Sequence, residues 1–482
     1  MPSYYSLKLC IIALSVPLLF GMNISILNFT DPYIILDYGL CGNKGSFIER
    51  TSCEAGSYAM YRVTLSFFSA SLLASFTLKH LINKSRVFGL KMALFPYLIG
   101  GIVTALAPNF KVFCIGRFIS GFPLGISTAA VVFISEMSPK DRRGLYSTLY
   151  GICIPAGQTI IYATGLYLPP MTKLVESDLQ KYLVYCRITF LIQSIISFIA
   201  IVGVTIFCRN ETPCLLISEG RTSEAEQVLM KIYNDRSIVD TEMESLLLSN
   251  QRMIEESKNS ESASFSTLLS RKYFLPTFIS VVITAAVSGS GIGIFIQKMS
   301  SLIGSASGLP GEKIIYIIIA ISSIETLSCF CGGKLIERYG RRIVGIAGTA
   351  VISISLLFLA FFTIFKDHFS IFVVQAVPIV VFTTFLVSFQ VALAPVSIAF
   401  VPEALPTKVR STGMGICAFV NWLISSVYIP LSYIISDLTV YFLSSACCGI
   451  VSILCYFYMK ETKGCSISPY ELEYSSVKTS EI

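Results

Sequence analysis

Charged side chains are scarce. Asp, Glu, Lys and Arg together make up 13% of the 482 residues, against about 25% in soluble domains. That leaves too few polar groups to cover the surface of a water-soluble protein of this length. Histidine occurs only twice, at His80 and His368, and tryptophan once, at Trp422. No His/Cys/Asp/Glu cluster has metal-ligand spacing, and no nucleophile–base–acid set or glycine-rich phosphate loop occurs. Enzyme chemistry, a metal and a cofactor are therefore not expected. A cleavable leader is not evident either, because Leu7 to Asn28 is long enough to span a bilayer and no small-residue cleavage site follows it.

Apolar residues are abundant, at 54%, with a mean hydropathy of +0.72. The net charge of +7 sits in short blocks between apolar runs, which argues for membrane lipid rather than nucleic acid as the surroundings. Most of the 15 cysteines lie inside apolar runs as small hydrophobes. Only Cys41 and Cys53, in the first long polar loop, are free to pair in an oxidising compartment.

A hydrocarbon core takes about 20 apolar residues to cross as helix, and helix satisfies its own backbone polar groups there. Twelve such runs are present, at 8–28, 58–78, 87–107, 112–134, 145–167, 183–207, 273–297, 313–333, 343–364, 370–401, 412–434 and 438–459. Pro378 and Pro395 predict a break in the tenth. The expected fold is all-α and integral to the membrane. It divides into a six-helix bundle over 1–207, a helical linker over 208–272, a second six-helix bundle over 273–459 and a tail over 460–482. Placing both termini and the linker in the cytosol puts most of the 36 Lys and Arg on that side, as positive-inside sorting requires. In the linker, Ser223-Glu224-Ala225-Glu226 reads as a capping box opening a helix over 225–233.

The halves repeat. Glu136-x-x-Pro139-x-x-x-Arg143 follows the fourth run and Glu403-x-x-Pro406-x-x-x-Arg410 the tenth, the signature of internal duplication in major facilitators.

Phe20-Gly21-Met22-Asn23, Gly116-Arg117-Phe118-Ile119-Ser120-Gly121, Glu211-Thr212-Pro213, Glu337-Arg338-Tyr339-Gly340-Arg341-Arg342, Asn421-Trp422 and Lys460-Glu461-Thr462-Lys463-Gly464 occur in order along nearly the whole chain. Together they resemble the sugar porters of the major facilitator superfamily, and among them the animal facilitative glucose transporters. The resemblance implies alternating access to a central site, a plasma-membrane location and no required protein partner. It also implies that Glu136, Arg143, Glu337, Arg338, Arg342, Glu403, Arg410 and Glu461 pair across the two bundles as a gate. The plainer reading makes them solvated anchors, since exposed pairs contribute only about 0–1 kcal/mol.

The likeness weakens where a sugar would bind. The amide expected eight residues after Arg143 is Gly151. The seventh run keeps Ser290-Gly291-Ile292 but has Val287, Ser288 and Gly293 in place of amides. In the tenth, Ser397-Ile398 replaces Pro-Trp. Asn421 and Trp422 remain, so the candidate substrate-binding residues are Asn421, Trp422, Glu325 and Ser288. Glu325 stands where the family has Asn, near mid-membrane, where an ionised carboxylate is costly. It could bind an amine-bearing substrate or carry a proton; equally, it could be a protonated acid bonded to Ser322, Ser323 or a neighbouring helix. Asn23 replaces the first-helix Asp of proton-linked porters, which points to a uniporter. The leading expectation is a facilitative transporter of a small polar solute, hexose first. The alternatives are a symporter using Glu325 and a non-transporting sensor.

Three smaller signals complete the reading. Asn28-Phe29-Thr30 is a glycosylation sequon, whereas those at Asn83 and Asn210 face the cytosol. Gly289, Gly291 and Gly293 alternate, marking either an unwound stretch or close helix packing. The stretch from Asn83 to Arg86 lacks the Gly-Arg-Arg of 340–342, so the first copy of that motif reads as degraded.

Overall fold

The computed structural model describes residues 4–42, 45–233, 235–259, 265–464 and 469–470. The expected tail therefore lies outside the described residues from 465 onward, apart from 469–470, as does the side chain of Asn83. Among the described residues all regular structure is helical, and each of the twelve apolar runs coincides with helix over most of its length. Among the described residues, ten helices are long and apolar enough to cross a membrane, eleven if Phe110–Ile126 and Thr128–Met137, bent by 40°, form one span. The run at 145–167 corresponds to the fifth helix, Arg143–Thr164, of 22 residues. At about 33 Å it is long enough, but Tyr146, Thr148, Gln158 and Thr159 lower its apolarity.

Close packing divides the chain into two compact units. One comprises Met1–Asn23, Ser69–Gly157 and Arg187–Ser262; the other comprises Ile24–Phe68, Gln158–Cys186 and Ala263–Ile482. In the first, the third helix, Arg86–Ala105, and the fourth nearly touch backbone to backbone. A Cβ on Gly116 would meet the Thr104 nitrogen at 2.6 Å, and one on Gly100 the Ser120 nitrogen at 2.6 Å. Small residues permit this approach, which replaces the hydrophobic drive that lipid removes. Arg117 is fully buried, with Nη1 3.3 Å from Asn23 Oδ1 and Nη2 3.2 Å from the Asn23 carbonyl.

The linker helices Pro213–Ser218, Thr222–Tyr233 and Arg236–Asn259 pack on this same unit. Lys140 pairs with Glu242 at 2.9 Å, and its backbone N–H donates to the Tyr233 hydroxyl at 3.3 Å. The capping box does not form. The helix starts earlier, at Thr222, which leaves Ser223 inside it, and Glu226, the acid of the box, faces the Arg236 guanidinium at 3.8 Å.

In the second unit the seventh helix is broken between Arg271–Gly289 and Ile292–Ser307, with Gly291 at φ +81°. Only glycine adopts that conformation without strain. Both readings of the glycine repeat therefore hold: the chain unwinds at 290–291, while Gly289 lies against Cys447 and Gly293 against Ile429. The tenth helix contains Pro378 without a break. Its irregularity is a π-turn, Phe389–Leu393, directly ahead of Ala394–Ala404 and Pro395. Cys41 and Cys53 are disulfide-bonded, so that expectation holds.

Around the same end of the unit, Tyr33 donates to the Pro169 carbonyl, Lys173 pairs with Glu312, and Tyr433 donates to Asp31 at 2.9 Å. Asn28 Oδ1 accepts from the Ser300 N–H at 2.9 Å. That N–H lies just past the non-helical Lys298 (φ −116°, ψ 15°). Asn28 is 5% exposed. Its sequon is thus part of a packed contact here, with Asn28 shielded from bulk solvent.

Candidate functional site

Charge on the basic ends of the helices is gathered into two matched clusters. In the first unit Arg86, the opening residue of the third helix, places Nε 3.2 Å and Nη2 3.3 Å from the Glu136 carboxylate. Thr212 donates to Glu136, and Glu211 accepts from the Arg86 N–H at 3.0 Å and from the Ser85 hydroxyl. In the second unit Arg341, the opening residue of the ninth helix, Arg341–Phe365, places Nε 3.0 Å and Nη2 2.8 Å from Glu403. Thr462 donates to Glu403 at 2.5 Å, and Glu461 accepts from the Arg341 and Arg342 N–H groups at 2.9 and 3.0 Å. Each cluster consists of an arginine at a helix start, an acid and a Glu-Thr pair. Gly340, at φ +88°, makes the second one possible, since a Cβ there would strike the Glu461 carboxylate.

Of the eight sequence candidates for a gate, Glu136, Glu403 and Glu461 lie in these clusters, and Arg342 contributes its backbone N–H. The Arg342 side chain instead donates to the Tyr456 carbonyl at 2.8 Å, and Arg410 donates to the Leu405 carbonyl at 3.2 Å. Arg143, Glu337 and Arg338 are exposed. Sequence reasoning missed Arg86, Glu211, Thr212, Arg341 and Thr462. The signal for them was present, because the dipeptide Glu-Thr closes each half, at 211–212 and at 461–462. The first-half motif, read as degraded, is intact in geometry, with Arg86 standing where Arg341 stands in the second.

Burial pushes the Glu461 carboxyl up, but four backbone N–H donors (Lys463, Arg341, Arg342 and Thr462) more than reverse this, and it stands below the ordinary carboxylate range. Its folded value is thus depressed. The stabilisation is complete above the unfolded value and is lost as pH falls through the folded one. The difference in thermal stability between the wild type and Glu461→Gln should be largest at neutral pH and shrink below about pH 5, as read from melting curves across pH.

The polar groups within the second unit come from several helices. Ser288 Oγ lies 2.7 Å from Asn421 Oδ1 and 2.7 Å from Ser425 Oγ, so two of the four candidate binding residues meet directly. Trp422 is the next residue along and is half-buried. Glu325, on the eighth helix, Gly311–Tyr339, is fully buried. Its Oε1 accepts from Gln390 Nε2 at 2.8 Å, while Oε2 has no hydrogen-bond partner. The partner is therefore on a neighbouring helix rather than Ser322 or Ser323. Ser322 bonds Thr159 at 2.6 Å, and Ser323 donates to the Ile319 carbonyl. The π-turn containing Gln390 packs against the eighth helix, where Gly332 leaves room for the Gln390 and Val391 carbonyls.

Gln158, on the fifth helix, is a residue the sequence reading passed over. It is fully buried, and neither side-chain polar atom has a hydrogen-bond partner. An amide in that state can donate to and accept from a solute hydroxyl. Among the described residues no group of three or more His, Cys, Asp or Glu could hold a metal.

A family model described as "Sugar (and other) transporter" matches residues 9–474. The chain belongs to that family. Hexose transporter 1 of Plasmodium knowlesi is 25% identical over 464 residues, covering 94% of this chain and 90% of the relative. The putative metabolite transport protein YncC of Bacillus subtilis (strain 168) is 28% identical over 397 residues, covering 79% of each. Among solved structures, the major facilitator proton:xylose symporter XylE of E. coli superposes with a TM-score of 0.75 at 16% identity, over 98% of this chain and 99% of that one. That likeness shows the fold. The chain is thus a multi-pass integral membrane protein of the major facilitator fold.

Proposed function

We propose that the chain is a facilitative uniporter of a small neutral sugar, hexose first, working by alternating access. Both termini and the 208–272 linker would face the cytosol, the disulfide-bearing end would face the cell exterior, and the location would be the plasma membrane. The bundles would span 1–207 and 273–459. One observation carries the reading: hydroxyl and amide groups converge at Ser288, Asn421 and Ser425, beside a family relationship whose relatives include proteins named hexose transporters. Asn421, Ser288 and Trp422, with Gln158, would bind the sugar, and Glu325 would set charge preference. Binding of the Arg117 guanidinium to the Asn23 amide, which has no proton to exchange, supports uniport. Glu136, Arg86, Glu403, Arg341 and Glu461, with Arg143, Glu337, Arg338, Arg342 and Arg410 around them, would govern opening at the cytosolic end.

Uptake of labelled hexose by proteoliposomes tests the proposal. Saturable uptake is expected, and Asn421→Leu or Gln158→Leu should lower it at least tenfold, since each removes a buried hydrogen-bonding partner of the solute. No saturable flux of any sugar would reject transport and favour a sensor that kept the fold.

The second reading, proton symport, is favoured by the buried Glu325 carboxyl and its unpartnered oxygen. Uptake that rises with an imposed inward proton gradient, and loses that rise in Glu325→Gln, would establish it over uniport.

A further inference from the structure

A cavity apart from the Ser288–Asn421 cluster lies in the same unit. It has a volume of about 690 Å³ and lies wholly within the second unit, at the disulfide-bearing end, where the first, second, fifth, sixth, seventh, eighth and eleventh helices meet. Its size falls within the usual range for small-molecule sites, about 300–1,000 Å³.

Two features of its wall define a ligand. The first is a pair of buried amides. Gln297 is 1% exposed, and neither its Oε1 nor its Nε2 has a hydrogen-bond partner; Asn28 Nδ2 is likewise without one. Burying such groups without a partner costs about 1–3 kcal/mol each, and a polyhydroxylated solute would supply both donors and acceptors. Around them stand the aromatic rings of Phe29, Tyr167, Tyr182 and Tyr433, which offer apolar faces with polar edges. The second feature is the state of the charges. The charged side chains on the wall are Asp31, Lys173, Lys298 and Glu312, and all are engaged. Lys173 pairs with Glu312, Asp31 accepts from Tyr433 at 2.9 Å, and Lys298 donates to the Ser432 carbonyl at 2.8 Å and faces Asp437 at 3.5 Å. A neutral ligand leaves all of these contacts in place.

We infer that this cavity is a second, peripheral binding site for a neutral sugar or polyol, with Gln297 and Asn28 as its hydrogen-bonding groups. The assignment shares its ligand class with the proposed transport function but rests on separate residues. Gln297 directly precedes the kinked Lys298, and Asn28 holds the N–H of Ser300. Occupancy would therefore bear on the segment of the seventh helix that packs against the first.

The test uses the purified full-length protein in nanodiscs. It measures the rise in melting temperature with added D-glucose, D-xylose and myo-inositol for the wild type, Asn421→Leu, Gln297→Leu and the double variant, each first shown to melt normally without ligand. Asn421→Leu should keep a residual, weaker stabilisation, and adding Gln297→Leu should weaken it a further tenfold or so in midpoint concentration. Gln297→Asn should retain part of it. If Asn421→Leu alone abolishes stabilisation, or Gln297→Leu leaves every midpoint unchanged, the second site is rejected while transport stands. If proteoliposomes show no flux but stabilisation still depends on Gln297, transport fails and the second site stands. No stabilisation by any of the three solutes rejects the site.

Discussion

Arg86→Met should lower the stability of the protein by about 3 kcal/mol, because it strips the arginine from an acid largely shielded from water. Both side chains of the Arg86–Glu136 pair are largely buried, at 16% and 15% exposure, whereas Glu403 in the Arg341–Glu403 pair is 34% exposed. Arg341→Met should therefore cost less, about 2 kcal/mol, although its N–O distances are shorter. Burial decides the order, since it sets how much water can solvate the orphaned carboxylate. The double variant Arg86→Met with Glu136→Met should recover at least half of the loss, because a buried pair replaced by apolar side chains leaves no stranded charge. Thermal unfolding in detergent, read as a double-mutant cycle, checks all three values. Equal losses for the two arginines, or no recovery in the double variant, would mean that the clusters contribute little beyond their backbone contacts.

Glu325→Gln should do two things in opposite directions. It should raise the melting temperature, since an amide has no charge to desolvate at this fully buried position and keeps an oxygen to accept from Gln390. It should also alter transport, narrowing or abolishing any preference for a cationic or amine-bearing solute over a neutral one. A stabilised protein with changed selectivity would identify Glu325 as a residue kept for function at the expense of stability. Lower stability with unchanged selectivity would make it a structural acid instead. Melting curves and competition uptake by neutral and amino sugars separate the two outcomes.

Much of the fold was legible in the sequence because lipid makes apolarity almost synonymous with helix. The runs, the long polar linker and the duplicated Glu-x-x-Pro-x-x-x-Arg spacing all follow from that constraint. What escaped followed from local geometry. The capping box at Ser223 had the right letters, but the helix opens one residue earlier, at Thr222, and Glu226 faces Arg236. The irregularity in the tenth helix was ascribed to its prolines, yet Pro378 sits in regular helix and the π-turn precedes Pro395. The Asn28 sequon matched a surface signal, but its side chain is committed to Ser300 through a kink that no pattern announces. In the candidate site, Ser288 and Asn421 were found because they sit on motif positions. Gln158 was not, because it lies off them and only its burial without a partner makes it conspicuous. The charge clusters show the same division. Their acids were read from motifs, but the arginine that answers each acid is chosen by where a helix begins.

The two clusters also fix an order of events during synthesis. Arg86 and Glu136 are made early, but their arrangement is completed only by Glu211 and Thr212, which follow directly on the sixth helix. Arg341 and Glu403 likewise wait for Glu461 and Thr462, which follow the twelfth. Each half is thus fastened by the last residues of its own stretch of chain, so the first can lock while the seventh helix is still in the ribosome. A nascent chain stopped before residue 461 would carry the first cluster closed and the second still open.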